Sequence, residues 1–85
     1  MESYKIVFKK SVSKDFKKIP KKDAVRILKV IQSLADDPHP PQSKKLSGQE
    51  RYRLRQGSYR VLYSIEDEKL VITVVKVGNR RDVYR

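Results

Sequence analysis

Residues 51–65 read RYRLRQGSYRVLYSI, and their apolar and charged side chains alternate on both sides of Gly57. An alternation with a period of two, interrupted by a glycine, predicts two β-strands joined by a turn. One face of the predicted hairpin carries the apolar side chains of Tyr52, Leu54, Tyr59, Val61, Tyr63 and Ile65. The opposite face carries Arg53, Arg55 and Arg60.

These three arginines are predicted to converge on the exposed face of neighbouring strands. Guanidinium groups held so close together repel one another, and a polyanionic ligand is the simplest explanation for keeping them there. The alternative is an edge strand whose charges prevent aggregation. The hairpin residues alone leave both interpretations open.

The composition describes one small and strongly basic domain, residues 1–85. Eighty-five residues suffice for a single hydrophobic core, and 21 Lys and Arg against 10 Asp and Glu give a formal charge of +11. Such a charge makes nucleic acid the first candidate partner, an acidic protein the second and an anionic membrane surface the third. The membrane is disfavoured because the basic residues lack bulky exposed apolar neighbours.

Several classes of site are disfavoured by what the chain lacks. It has no cysteine, so neither a disulfide nor a thiolate metal site is expected. The single histidine, His39, lies in a proline-rich stretch and is a poor metal ligand or catalyst. No apolar run approaches the roughly 20 residues of a membrane span, and the first residues lack the apolar region of a signal peptide. We therefore expect a cytoplasmic protein without a metal or cofactor.

The rest of the chain predicts one strand and two helices before the hairpin, and one strand after it. The first strand covers about six residues from Tyr4, and the helices cover residues 11–19 and 21–35, each with an apolar stripe and a basic face. Prolines end the second helix, and a loop leads to residue 48. After a polar turn at residues 66–69, residues 70–77 form a central strand, and a basic tail follows.

This order of elements predicts an α+β fold. The last three strands follow one another through short turns, so we expect an antiparallel meander. The helical hairpin must pack on one face of the sheet, because only there can both apolar stripes be buried. The face with the three arginines is then left free.

Four short motifs resemble the RelE toxins of the RelE/ParE toxin–antitoxin superfamily. They are KKLSG at 44–48, YRLR at 52–55, YRVLY at 59–63 and VGNRRDVY at 77–84. The resemblance covers nearly the whole chain. It implies a toxin that enters the ribosomal A site and cleaves mRNA there by attack of a ribose 2′-OH on the adjacent phosphate, without a metal. It also implies an antitoxin partner, an acidic and partly disordered segment that wraps the toxin.

The resemblance assigns roles to individual residues. Arg53, Arg55 and Arg60 fall where the family has basic active-site residues, Arg80 matches the arginine after the last strand, and Tyr84 matches the tyrosine that stacks on a base of the message. The residues assigned to RNA or ribosome binding are Lys14, Lys17, Lys18, Lys21, Lys22, Lys44, Lys45 and Arg81. For the helix lysines a merely solvated face stays open, as does an ordinary surface cation for Arg81.

The sequence departs from the family at the residues that could accept a proton. Arg53 and Arg55 stand where RelE has lysines, and arginine practically never loses its proton. The role of general base therefore carries over poorly to Arg53 and Arg55, and Tyr84 or ribosomal RNA are the candidates for that role. Two alternatives remain: a ParE-like inhibitor of DNA gyrase, and a nucleic-acid-binding module without catalysis.

Overall fold

Two helices cover one face of a five-stranded mixed sheet in the computed structural model, which describes residues 3–46 and 51–79. The elements of this part of the chain are β1 (Lys5–Phe8), α1 (Ser11–Lys17), α2 (Lys21–Ser33), β2 (Ser43–Lys45), β3 (Tyr52–Gln56), β4 (Tyr59–Glu66) and β5 (Val71–Asn79). Among these residues no helix has the length and apolar character required to cross a membrane.

The strands lie in the order β1-β5-β4-β3-β2. β1 runs parallel to β5, whereas every other neighbouring pair is antiparallel. The predicted α+β class and the meander of β3, β4 and β5 are thus confirmed. The hairpin between β3 and β4 has a two-residue turn, and its first residue, Gly57, has a φ of +58°, which a residue without a Cβ adopts most readily.

The hydrophobic core lies between the helices and the apolar face of the sheet. Its side chains include Ile27, Ile31 and Leu34 from the second helical segment, all with no exposed surface. The sheet contributes Leu54, Val61, Tyr63, Ile72, Val74 and Val77. The predicted inward orientation of the hairpin tyrosines is confirmed, since Tyr63 is fully buried and Tyr59 is half-buried against this core.

The boundaries of the elements differ from the predicted ones at several ends. β1 has four residues rather than six, α1 ends at Lys17 rather than residue 19, and α2 ends at Ser33 rather than residue 35. Pro20 explains the earlier end of α1, because a proline disfavours helical conformation in the residue before it. β2 was predicted as loop. It consists of a serine and two lysines, and pairing with β3 is what orders it.

A carboxylate of helix α1 forms a hydrogen bond with a backbone amide at the edge of β5. β1 pairs with β5 only as far as Val74, so no strand of the described residues borders the outer edge of β5 beyond Val74. Asp15 of α1 accepts a hydrogen bond from the Val77 amide at 3.1 Å. A buried amide left without an acceptor is costly, and Asp15 thus stabilises the segment of β5 that leads towards the basic tail.

Candidate functional site

The face of the sheet opposite the helices carries two rows of side chains that run across the strands. Paired residues lie on the same face, and neighbouring strands are about 4.8 Å apart. The first row consists of Lys44, Arg53, Leu62 and Lys76. The second row consists of Arg55, Arg60 and Gly78. The two rows place five cationic side chains over an area spanned by four strands.

Arg53 and Arg55 border a recess at the β2 end of this face. The recess has a volume of about 270 Å³, and its lining also includes Ser43 and Lys44. Arg53 is half-buried and Arg55 is exposed. The Arg55 amide donates to the Gln42 carbonyl at 3.4 Å, which holds the loop before β2 beside the arginines. An anion entering this recess would meet two guanidinium groups and one ammonium group.

Arg60 does not lie on the exposed surface, and in this respect the sequence prediction was wrong. Its side chain is only 5% exposed. The guanidinium turns back towards the hairpin turn, where Nη1 donates to the carbonyls of Gly57 at 3.2 Å and Tyr59 at 3.0 Å. Its Nε is buried and has no hydrogen-bond partner among the residues that the structure describes. Strand alternation gave the correct face for Arg60, but it could not show that the side chain folds back along its own hairpin.

The buried Arg60 gives this end of the sheet a fixed positive charge. Within residues 3–46 and 51–79 its side chain donates to carbonyl oxygens, and no carboxylate forms an ion pair with it. Arg55 is its direct partner across the strands, so two like charges face each other. Charges in a partly buried environment act more strongly than charges in water. The arrangement therefore favours a bound anion beside Arg55.

A bulge in β5 brings Lys76 onto the same face. Ile72 and Val74 face the core, and strict alternation would also direct Lys76 inwards. The register shifts between Leu62 and Tyr63 of β4, so that Leu62 pairs with Lys76 and Tyr63 pairs with Val74. The extra residue in β5 reverses the alternation of side chains after Val74, so Lys76 lies on the same face as the arginines. The sequence did not single out Lys76, because the position of a bulge cannot be read from the alternation.

Comparison with known proteins identifies the family. The family model for ParE toxins of type II toxin–antitoxin systems matches residues 6–84. The chain belongs to the RelE/ParE toxin superfamily.

Relatives of this toxin carry RelE names. A putative RelE-like toxin of Escherichia coli is 33% identical over 95% of this chain and 90% of its own length. The archaeal RelE–RelB complex from Pyrococcus horikoshii contains a chain that is 31% identical, with a TM-score of 0.83 over 94% of this chain and 98% of that one. A chain of the RelBE2 complex from Mycobacterium tuberculosis is 25% identical, with a TM-score of 0.82 over 92% of this chain and 99% of that one. The protein is therefore a RelE-like toxin of a toxin–antitoxin system.

The predicted lysines of the toxin fall into two groups. Lys44 lies directly opposite Arg53, and Lys45 is exposed on the same short strand. The others are exposed on the two helices or beside them, and they are Lys14, Lys17, Lys18, Lys21 and Lys22. Because the helices cover the opposite face of the sheet, only Lys44 is brought together with the arginines.

Three predicted site residues of the toxin, Arg80, Arg81 and Tyr84, lie outside the described residues. The last described residue, Asn79, pairs with Tyr59, the neighbour of Arg60 in β4. The roles assigned to Arg80, Arg81 and Tyr84 therefore stay predictions.

Two tyrosines in the described part of the toxin, Tyr59 and Tyr63, are held as neutral hydrogen-bond donors. The Tyr59 hydroxyl donates to Asp23 Oδ2 at 3.2 Å, and burial together with this bond raises the pKa of Tyr59. The Tyr63 hydroxyl donates to the Pro38 carbonyl at 3.0 Å, and burial raises the pKa of Tyr63. A raised pKa keeps both phenols protonated near neutral pH, so neither supplies a base.

Proposed function

We propose that this toxin is a ribosome-dependent endoribonuclease that cleaves mRNA in the ribosomal A site. The observation that carries the proposal is the recess in which Arg53, Arg55 and Lys44 meet on the helix-free face of the sheet. Three cations around one opening suit a phosphodiester. The relatives carry RelE names, and this activity is the one that the resemblance to RelE toxins implies.

The proposed chemistry needs stabilisation of negative charge more than it needs a protein base. Attack of the ribose 2′-OH on the neighbouring phosphate forms a cyclic phosphate and releases the 5′-oxygen of the next nucleotide. Negative charge grows on the non-bridging oxygens, where Arg53 and Arg55 can donate paired hydrogen bonds. Both arginines stay protonated and cannot accept the 2′-OH proton. The acceptor is then Tyr84 or ribosomal RNA, and Arg80 adds a further guanidinium near the leaving oxygen.

A reconstituted translation complex tests this activity. Purified toxin is added to ribosomes that carry a defined mRNA with one codon in the A site, and the RNA ends are mapped by primer extension. We expect one cut within the A-site codon, and no cut in the same RNA without ribosomes. RNA binding without cleavage would indicate the non-catalytic module instead.

Inhibition of DNA gyrase is the second candidate function. The family model that matches residues 6–84 describes ParE toxins, which supports this alternative. A gyrase inhibitor binds a protein surface and needs no arginine recess. Inhibition of gyrase supercoiling by the purified toxin, together with intact mRNA on ribosomes, would favour this function over cleavage.

The partner of the toxin is proposed to be an acidic antitoxin that anchors in an apolar groove. The groove is lined mainly by Phe8, Val12, Phe16 and Leu28, and it has a volume of about 580 Å³. Phe8 is 42% exposed and Leu28 is 37% exposed, which is unusual for such large apolar side chains. Lys9 and Lys10 also line the groove and suit a segment that combines apolar and acidic residues. The toxin relatives in complex with RelB support such a partner.

Replacing Leu28 with aspartate should weaken neutralisation by the antitoxin. A carboxylate in the groove removes apolar contact and repels an acidic segment, and the expected loss of affinity is about 10- to 100-fold. The measurement is the affinity for the acidic protein encoded beside the toxin gene, by calorimetry. Ser33→Asp, about 140° around the same helix, is the matched control. Equal affinities for the two variants would contradict the groove as the anchor.

Replacing Lys17, Lys18 and Lys22 together with glutamine should weaken ribosome binding and leave chemistry intact. Each lost phosphate contact is expected to lower the salt dependence of association by about one unit of log–log slope. The measurement is ribosome co-sedimentation at several salt concentrations, with cleavage measured at saturating toxin. Normal binding by the triple variant would show that these lysines serve solubility alone.

A further inference from the structure

A second basic trough lies beside the arginine recess, on the same face of the sheet. It has a volume of about 310 Å³, and its lining consists of Lys9, Ser11, Asp15, Arg51, Leu62, Val75 and Lys76. Lys9 follows β1, Arg51 precedes β3 and Lys76 belongs to β5. Residues that are distant in sequence are therefore brought around one opening.

Within residues 3–46 and 51–79, the cations of the trough form no ion pair. The ion pair of these ranges joins Lys69 and Glu66, and neither residue lines the trough. Asp15 is the acidic residue of the lining, and one of its oxygens already accepts the Val77 amide. Lys76 is half-buried, so its charge is partly shielded from water. Three cations against one carboxylate leave the lining with an excess of positive charge, which suits an anion in an opening of this size.

The trough is adjacent to the proposed catalytic recess, although the two openings share no lining residue. Leu62 lies between Arg53 and Lys76 in the first cross-strand row, and it is also part of the trough. Arg51 precedes Arg53 by two residues, a step of about 7 Å along an extended chain. Leu62 is 8% exposed and gives the trough an apolar floor. A strand of RNA lying across Arg53 can therefore extend over this floor.

We propose that Lys9, Arg51 and Lys76 bind a phosphate of the message next to the cleaved one, with the adjoining ribose over Leu62. This inference rests on the proposed nuclease function. The site recognises the phosphodiester and not a particular base, because contacts to phosphate oxygens carry no sequence information, whether they come from the ammonium groups of Lys9 and Lys76 or from the guanidinium of Arg51. Its contribution is to hold the message in register, so that the scissile phosphate stays in the recess of Arg53 and Arg55.

Glutamine substitution of the three residues tests the site. The trough variant combines Lys9→Gln, Arg51→Gln and Lys76→Gln. The toxin concentration that it needs for half-maximal cleavage on programmed ribosomes should be about 10- to 100-fold higher than that of the wild type. The cleavage rate at saturating toxin should change less than about threefold. The matched control replaces the exposed Arg26, Lys29 and Lys69 with glutamine, which removes the same charge. Circular dichroism checks the fold, and Arg51→Gln alone replaces the triple variant if that variant unfolds.

Messages with one neutral methylphosphonate linkage locate the contact. The linkage is placed in turn at each of three positions on either side of the scissile phosphate. One flanking position should weaken cleavage by the wild type and by the control variant about equally, and should have no further effect on the trough variant. If every linkage weakens cleavage by the trough variant as much as it weakens cleavage by the wild type, the site is overturned. The site is also overturned if the trough variant needs no more toxin for half-maximal cleavage than the control variant. Failure of the wild type to cleave any message would instead overturn the nuclease function itself.

Discussion

Replacing Arg53 and Arg55 together with alanine should lower single-turnover cleavage on programmed ribosomes by about 10²–10⁴-fold. Both side chains border the recess beside Lys44, and in the proposed mechanism they donate to the phosphate oxygens on which charge develops. Since Arg55 is exposed and Arg53 only half-buried, the melting temperature should change little. The measurement is the rate of A-site cleavage with toxin in excess, together with a thermal scan.

Two further variants make this result interpretable. Arg26→Ala combined with Lys29→Ala removes the same charge from an exposed helix surface and should leave the cleavage rate near that of the wild type. Arg53→Lys combined with Arg55→Lys should recover part of the rate, because an ammonium keeps the charge but loses the paired donors of a guanidinium. Wild-type cleavage by the double alanine variant, with its fold intact, would remove these arginines from the site.

Replacing Arg60 with methionine should lower the cleavage rate without lowering the melting temperature appreciably. The guanidinium is 5% exposed, lacks a carboxylate partner among the described residues and leaves Nε unpaired. An apolar side chain removes the cost of burying an unpaired charge, whereas the carbonyls of Gly57 and Tyr59 lose a donor. These two effects oppose each other, so the melting temperature should change little. Cleavage should nevertheless fall by about 10²-fold or more, because the fixed positive charge behind Arg55 is lost.

The comparison of Arg60→Met with Arg60→Ala checks the packing part of this argument. Alanine leaves a cavity and should lower the melting temperature, whereas methionine fills most of the space. Both variants should cleave slowly. If Arg60→Met melts far below the wild type and cleaves normally, the role of Arg60 is to hold the hairpin turn through its bonds to Gly57 and Tyr59, and it has no part in catalysis.

The order of the elements follows from local patterns in the sequence. The alternation around Gly57 gives β3 and β4, and apolar residues at helical spacing give α1 and α2. These patterns suffice for the α+β class and for the antiparallel meander. β2 has no such pattern, because its three residues are ordered by pairing with β3 rather than by side chains that face a core.

The site was less predictable because it depends on where side chains turn and where the register shifts. Alternation placed Arg53, Arg55 and Arg60 on one face, which the pairing of β3 with β4 confirms. The burial of Arg60 depends on carbonyls of the hairpin turn, and the position of Lys76 depends on the bulge of β5. Neither feature leaves a periodic signal in the sequence. The sequence therefore predicts the face of the sheet better than the contacts made on it.

Mapping of mRNA 5′ ends in cells tests the central claim most directly. Wild-type toxin and the Arg80→Ala variant are each induced briefly, and new 5′ ends are sequenced alongside assays for DNA breaks. The nuclease account predicts new ends inside translated codons with the wild type, about 10²-fold fewer with Arg80→Ala, and intact chromosomal DNA in both cultures. Intact mRNA together with double-strand DNA breaks and an SOS response would contradict the nuclease account and indicate a gyrase inhibitor.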